Sequence, residues 1–237
     1  RQPGYRPELD LVAVDEGGAL AGFCICWFAP QGVGGRPSGQ IEPLGVREDA
    51  AEREDRFYRE LDFGTAGLRG VIGAGSNRMN IMVVRRAARG LGAYLNELEG
   101  AARRGVAIAY DSRRYSGDFA REVARTLASA GVRCYLFESL RSVPQLSFAI
   151  LHLNCIAGVV ITASHNPPEY NGLKVYWEHG GQLGLERARA VTEHILTQDP
   201  LCSPGMPMEQ ALAEGLVVMI GKEVDEAYYA ATAGLLE

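Results

Sequence analysis

The sequence predicts an α/β fold built on a parallel sheet, with a small β-rich arm in front of it. Three observations carry this. From about residue 106 onward, short apolar runs alternate with amphipathic segments at the spacing of βαβ crossovers. The first fifty or so residues read instead as strands around a turn, followed by a charged segment. The composition is that of an ordinary globular chain, with 237 residues, 47% apolar and a net charge of −5. At a prior of roughly 150 residues per domain, this length accommodates one complete domain and a remnant.

Taken in order, Leu9 to Val14, the turn Asp15-Glu16-Gly17-Gly18 and the branched and aromatic residues from Ala19 to Phe28 predict a β-hairpin. A Gly/Pro loop over 30–39 precedes a short third strand over 40–46. Charge dominates 47–62, with Phe57, Tyr58 and Leu61 interspersed as on an exposed amphipathic helix. The glycines between 64 and 75 predict a loop, and Asn80 an N-cap for a helix through about Glu97. Strand 106–110, helix 118–130, strand 132–137, helix 145–153 and strand 156–162 then alternate as a parallel α/β sheet requires. Another strand covers 172–177 and a helix 186–196. The prolines and glycine of 199–207 read as a stiff, linker-like stretch, after which 216–220 and 223–236 either close this domain or open the next.

The longest apolar runs, 23–29 and 155–163, fall short of the ~18 residues a membrane-spanning helix needs. The N-terminal Arg-Gln-Pro-Gly-Tyr-Arg lacks an apolar signal core, and the absence of an initial Met reads as a start that is missing or processed. A mildly acidic chain without a basic block argues against a nucleic-acid surface, while leaving small anions to local arginines. Cys24, Cys26, Cys134, Cys155 and Cys202 are scattered through apolar runs, as buried thiols in a reducing compartment are, and cytoplasm is the expectation. Only Lys174 and Lys222 among the 24 basic residues are lysines, so each is conspicuous.

The chemistry concentrates in Thr162-Ala163-Ser164-His165-Asn166-Pro167-Pro168-Glu169-Tyr170-Asn171-Gly172-Leu173-Lys174, directly after the apolar strand. Loops at the carboxyl ends of parallel strands face the ligand crevice, and two prolines stiffen this one around a hydroxyl. Adjacent Ser and His are not a hydrolase pair, and the flanks are not Gly-x-Ser-x-Gly. A bare Ser-His-Asn-Pro is equally a turn before proline.

The longer string resembles the phosphoserine loop of the α-D-phosphohexomutases, the phosphoglucomutase/phosphomannomutase superfamily. Phe63-Gly64-Thr65-Ala66-Gly67-Leu68-Arg69-Gly70 with Asn77-Arg78-Met79-Asn80 is similar to that family's opening loop, chiefly in the phosphoglucomutase and phosphopentomutase branch. Tyr110-Asp111-Ser112-Arg113 resembles its next loop. The resemblance covers about residues 52–237 and implies a three-layer α/β/α first domain with a mostly parallel mixed sheet. It also implies a reversible mutase in which phosphorylated Ser164 passes its phosphoryl group to a sugar phosphate, through a bisphosphate. On that pattern Ser164, His165, Lys174 and Arg69 are catalytic, and Thr65, Gly67, Arg69, Asn166 and Lys174 bind substrate or phosphate. The Ser164 phosphate would ligate Mg²⁺, and glucose 1,6-bisphosphate is the expected activator. A small sugar phosphate is the expected partner, without nucleic acid or membrane. Asp111 and Arg113 read as an ion pair shaping their loop, and Trp27 and Trp177 as packing residues.

The family's Asp-x-Asp-x-Asp metal loop, sugar-recognition loop and distal phosphate loop are absent from these residues, so the chain reads as a truncated mutase. Residues 8–46 weakly resemble the central strands of a GNAT-type acetyltransferase, but 47–63 contains no glycine for a coenzyme A cradle. That front reads either as an acetyltransferase piece joined near Asp49, by fusion or assembly error, or as an N-terminal extension of the mutase domain. The expected division is a β-rich extension over 1–48, the phosphoserine domain over 49–210 and the start of a linker over 211–237. The competing functions are a noncatalytic sugar-phosphate-binding or structural remnant and, behind it, an acetyltransferase, which would be stabilised thermally by acetyl-CoA.

Overall fold

A computed structural model describes residues 11–14, 20–29, 38–46, 50–65 and 67–234 of the chain. They divide into two compact units, Arg1–Arg59 and Glu60–Glu237. In the first unit, β1 (Leu11–Val14), β2 (Leu20–Ala29) and β3 (Ser38–Val46) form a three-stranded antiparallel sheet in that order. The extension is therefore a hairpin with a third paired strand. The turn over 15–18, most of the 30–39 loop and the joint near Asp49 lie outside the described residues. Helix α1 (Ala50–Phe57) is shorter than the segment expected to be helical. Tyr58 is 85% exposed, and beyond the helix Leu61 donates its N–H to Ser76 O (3.2 Å) and packs against the core of the second unit.

The second unit runs β4 (Leu68–Val71), α2 (Ile81–Asn96), α3 (Ala101–Arg104), β5 (Val106–Tyr110), α4 (Ser116–Ser129), β6 (Cys134–Phe137), α5 (Val143–His152), β7 (Ala157–Ile161), β8 (Tyr170–Trp177), α6 (Leu185–Leu196), α7 (Met208–Ala213), β9 (Val217–Ile220) and α8 (Lys222–Ala233). Its six-stranded sheet has the order β4-β8-β7-β5-β6-β9. The strands from β7 to β9 pair in parallel, whereas β8 runs antiparallel to both β7 and β4. This is the three-layer α/β/α arrangement with a mixed sheet.

Strands β5 and β7 are buried on both faces, as central parallel strands must be when helices cover both sides. Alternate residues feed two cores. Val106 and Ile108 join Val84, Leu91, Leu127 and Val191 beneath α2, α4 and α6, while Ala107 and Ala109 meet Phe137, Leu146, Ile150 and Val224 beneath α5 and α8. Each fully buried Leu, Ile or Phe contributes about 1.5–3 kcal/mol. Asn80 caps α2: its Oδ1 accepts from the N–H groups of Met82 and Val83, both at 3.0 Å. Its Nδ2 donates to Gly73 O and Gly75 O, so the same side chain fixes the preceding loop. Ser142 and Gln145 form a capping box on α5.

Three segments depart from the sequence reading. Leu68–Val71, expected within a glycine-rich loop, is strand β4, because the return of β8 offers it an open edge. The 199–207 stretch is a strap held on the domain by arginines. Arg85 donates to Cys202 O (3.0 Å), Arg89 to Ser203 O (2.9 Å), and Arg125 to Gly205 O (2.7 Å) and Met206 O (3.0 Å). Beyond it, where the start of a linker is expected, β9 extends the sheet along β6 and Asp225 of α8 pairs with Arg141 at 2.7 Å. Cys134, Cys155 and Cys202 are free and buried, and burial pushes the Cys155 thiol up to about 12.

Candidate functional site

Parallel pairing of β5 with β7 brings the carboxyl ends of both strands side by side, with Asp111 N donating to Ile161 O (3.1 Å). The loop after β5, Asp111 to Tyr115, thus lies against the loop after β7, Thr162 to Glu169. Between them opens a cleft of about 500 Å³ lined by Asp111, Ser112, Arg113, Arg114, Ser164, Asn166 and Pro168. It stands where the chain-order argument for α/β sheets puts a ligand crevice.

Ser164 projects from this loop with an unusual backbone. Its φ of 58° is left-handed, a conformation that costs a non-glycine residue on the order of 1–2 kcal/mol. The surrounding bonds over-determine it: its N–H donates to Thr162 Oγ1 (2.9 Å) and its carbonyl accepts from Arg113 Nη2 (2.8 Å). Nη2 also donates to Asn166 O (2.7 Å), while Nη1 donates to Pro167 O (2.8 Å) and Tyr170 O (3.1 Å). Nε lies 3.3 Å from Asp111 Oδ2, and Asp111 Oδ1 accepts from Arg113 N–H (3.0 Å) and the Ser116 hydroxyl (2.7 Å). Ser164 itself is exposed, and its Oγ lies 3.4 Å from Nδ1 of the exposed His165. Asn166 Oδ1 is buried without a hydrogen-bond partner. At the far end of the loop Asn171, fully buried, donates to Arg114 O (2.9 Å) and Ser116 Oγ (3.0 Å).

The remaining expected site residues sit on the edge strand β4, just before it, and on its neighbour β8. Arg69 on β4 pairs with Gly172 on β8, and Thr162 N–H donates to Gly172 O (2.9 Å), so Arg69, Gly172 and Thr162 form one row across the sheet. Lys174, two residues along β8, shares that face with Arg69 and pairs with Val160. Gly172 is small by necessity, since a Cβ would lie 2.7 Å from Leu68 O and from Thr162 O. Gly67 has a φ of 78°, and a Cβ on it would strike the carbonyl oxygen of Leu173 and crowd the Cα of Lys174. Gly64 and Gly67 exchange backbone bonds around the exposed Thr65. The fold therefore gathers Ser164, His165 and Asn166 in the stiff loop, and Thr65, Gly67, Arg69 and Lys174 along the neighbouring edge, outside the lining of the cleft. Ser112, which also lines it, lies in the Tyr110–Arg113 string that resembles the family's loop but carried no assigned role, and Arg114, next along, had only its position just after a parallel strand as a signal.

Residues 60–201 match the family model described as phosphoglucomutase/phosphomannomutase, alpha/beta/alpha domain I. The chain belongs to the phosphoglucomutase/phosphomannomutase family. A phosphoglucomutase from Staphylococcus saprophyticus is 39% identical over 178 residues, covering 75% of this chain and 32% of that protein. One from Staphylococcus aureus strain RF122 is 40% identical over 149 residues, covering 63% and 27%. A Thermus thermophilus crystal structure described as a candidate phosphomannomutase shares 34% identity with a TM-score of 0.52, covering 58% of this chain and 30% of that one. The chain thus spans about a third of the length of the curated relatives it matches. The residues matched to domain I lie within the second unit described above.

The family resemblance implies Mg²⁺ at Ser164, and the described residues do not fit it unaided. No group of three or more His, Cys, Asp or Glu side chains among them could hold a metal. Asp111, the carboxylate in the cleft lining, has both oxygens committed to Arg113 and Ser116. A hard cation that takes about six oxygens would need its ligands from elsewhere.

Proposed function

We propose that this chain is the phosphoryl-carrying first domain of a sugar-phosphate mutase, which interconverts 1-phosphates with 6-phosphates or 5-phosphates through a bisphosphate. The observation that carries the reading is Ser164 itself: an exposed hydroxyl on a backbone held in a costly conformation at the mouth of a polar cleft. Phosphoryl transfer asks mainly for a fixed oxygen and positive charge around the moving group. In the proposed step the bond from phosphorus to Ser164 Oγ forms as the bond from phosphorus to the sugar oxygen breaks. The serine proton passes to the departing sugar oxygen. His165, 3.4 Å from Oγ, would touch the phosphoserine or substrate. Arg69 and Lys174, on one sheet face, would neutralise phosphoryl charge. Thr65, Gly67 and Asn166 would supply neutral contacts to phosphate. On this reading residues 1–48 are an extension, and the phosphoserine domain expected over 49–210 continues through β9 and α8, which share its sheet and core. No step is routed through Mg²⁺.

The test is incorporation of label from glucose 1,6-bisphosphate labelled in its phosphates. One phosphate is expected at Ser164, with none in a folded Ser164→Ala variant. Equal labelling of the two proteins would refute the assignment. Saturable binding of the bisphosphate without label would favour the second reading, a noncatalytic sugar-phosphate-binding unit. That reading draws on Arg69 and Lys174 lying outside the cleft lining.

A further inference from the structure

We infer that Arg113 is a positioning residue for Ser164, fixing the loop backbone on which the serine hydroxyl is presented; the inference rests on the mutase reading above. Every polar hydrogen of its guanidinium has a partner within reach. The four on the terminal nitrogens meet the carbonyls of Ser164, Asn166, Pro167 and Tyr170 at 2.7–3.1 Å, and the one on Nε faces Asp111 at 3.3 Å. Three of these carbonyls belong to the eight-residue span between β7 and β8, and the fourth is the first residue of β8. One planar fork thus gathers the beginning, middle and end of the loop onto a single point.

Such a loop would otherwise relax. Ser164 holds a left-handed φ that its own side chain does not favour, and the two prolines after it cannot donate to any neighbour. The carbonyls of Ser164, Asn166 and Pro167 all turn toward Arg113, Pro167 O also accepting from Tyr170 N–H (3.0 Å), and one multivalent donor ties the three together. Asp111 and Ser116 complete the strut: Asp111 receives the Ser116 hydroxyl, and Ser116, fully buried, also receives Asn171 Nδ2. The loop is therefore tied to the start of α4 and to β8 at once. A lysine in place of Arg113 keeps the charge and offers three donors from one point, which cannot span four carbonyls in a plane.

The experiment compares the full chain with Arg113→Ala, Arg113→Lys and Asp111→Asn. Two readouts are taken: single-turnover labelling of Ser164 from glucose 1,6-bisphosphate, and amide hydrogen exchange over 162–171. Misplacement by about 1 Å costs on the order of 100-fold in rate. Arg113→Ala should therefore lower the maximal labelling rate by about that factor while leaving the half-saturating bisphosphate concentration within about twofold, because the residue acts on the serine and not on the ligand. Added guanidinium should restore part of the rate in Arg113→Ala. Asp111→Asn, which keeps one acceptor oxygen for Arg113 N–H and the Ser116 hydroxyl but loses the charge and the acceptor facing Arg113 Nε, should fall between. Exchange should rise in 162–171 and stay unchanged in β5 and α4. A higher half-saturating concentration with an unchanged maximal rate would overturn the inference, as would unaltered exchange. If the parent chain takes up no label, the mutase reading falls, and exchange alone decides the clamp: protection lost over 162–171 in both Arg113 variants upholds it, protection retained overturns it. Should Arg113→Ala not fold, Arg113→Lys and Asp111→Asn carry the same two readouts.

Discussion

Removing Glu122 should be far more damaging than removing Glu122 together with its partner. Glu122 and Arg85 are 4% and 7% exposed, and Arg85 Nε meets Glu122 Oε1 at 2.5 Å between α4 and α2. Arg125 Nη1 stands 3.5 Å from the other carboxylate oxygen but is more exposed and has the strap carbonyls as well. In Glu122→Ala, Arg85 keeps Cys202 O at 3.0 Å and loses its charged partner while still shielded from water. An uncompensated buried charge of this kind costs about 3–5 kcal/mol. The double variant Arg85→Met/Glu122→Leu leaves no such charge and should unfold within about 1 kcal/mol of the parent, or above it. The assay is urea unfolding followed by tryptophan fluorescence in a Trp27→Phe background, which leaves the buried Trp177 as the only tryptophan and so reports the second unit. At a slope near 2 kcal/mol per molar urea, a loss of about 4 kcal/mol lowers the midpoint by about 2 M. A double variant as unstable as Glu122→Ala would refute the reasoning, since the loss would then come from packing and not from charge.

Gly67→Ala should push β4 away from β8, because the new methyl meets the Leu173 carbonyl at a left-handed φ; amide exchange at Leu68 and Gly70, whose N–H groups face β8, should rise, and unchanged exchange would contradict the close approach. His194 lies 3.0 Å from Glu97 and bonds Ala190 O at 2.8 Å; the backbone bond first, then the Glu97 contact, raises its pKa. A raised folded value means the stabilisation is complete below the unfolded value of about 6.5 and is lost as pH climbs through the folded one. The urea midpoint of His194→Gln should therefore trail the parent below about pH 6 and converge with it at alkaline pH, a difference that unfolding series at both ends would detect. Lys174→Met should leave the unfolding midpoint within error while slowing label uptake at Ser164. A large loss of stability would instead make this half-buried lysine structural.

The core of the fold was legible because central parallel strands advertise themselves. Val106-Ala-Ile-Ala-Tyr and Ala157-Gly-Val-Val-Ile are apolar at every position, and the helices between them carry periodic apolar faces. Asn80 was legible for a local reason, as its side chain satisfies N–H groups within its own turn. Strand β4 was not, because a four-residue edge strand containing Arg and Gly has no periodic pattern and exists only through pairing with β8. The strap over 199–207 misled for the opposite reason: prolines mark stiffness, and nothing local shows that Arg85, Arg89 and Arg125, from distant helices, hold its carbonyls. At the candidate site, Ser164 and its loop stood out through a contiguous string. Arg113 could be read as half of an ion pair with Asp111, and its reach to four carbonyls, more than fifty residues away, had no signature in the sequence.

The antiparallel return of β8 explains how one short stretch carries both the serine and, on the strand next to β7, Lys174. A crossover after β7 would have carried the chain across a helix before the next strand, separating Ser164 from anything nearby in sequence. The hairpin-like return instead lays Gly172 against Thr162 and continues directly to Lys174, while opening an outer edge for β4 and Arg69. Glycine at 172 then lets three backbones close up in one row, so the positions of the two cations are set by sheet register and not by loop conformation. The serine has no such register to rely on, since it stands beyond the last rung of β7. That difference accounts for the commitment of a whole guanidinium to its loop: the strands place the charges, and Arg113 places the oxygen.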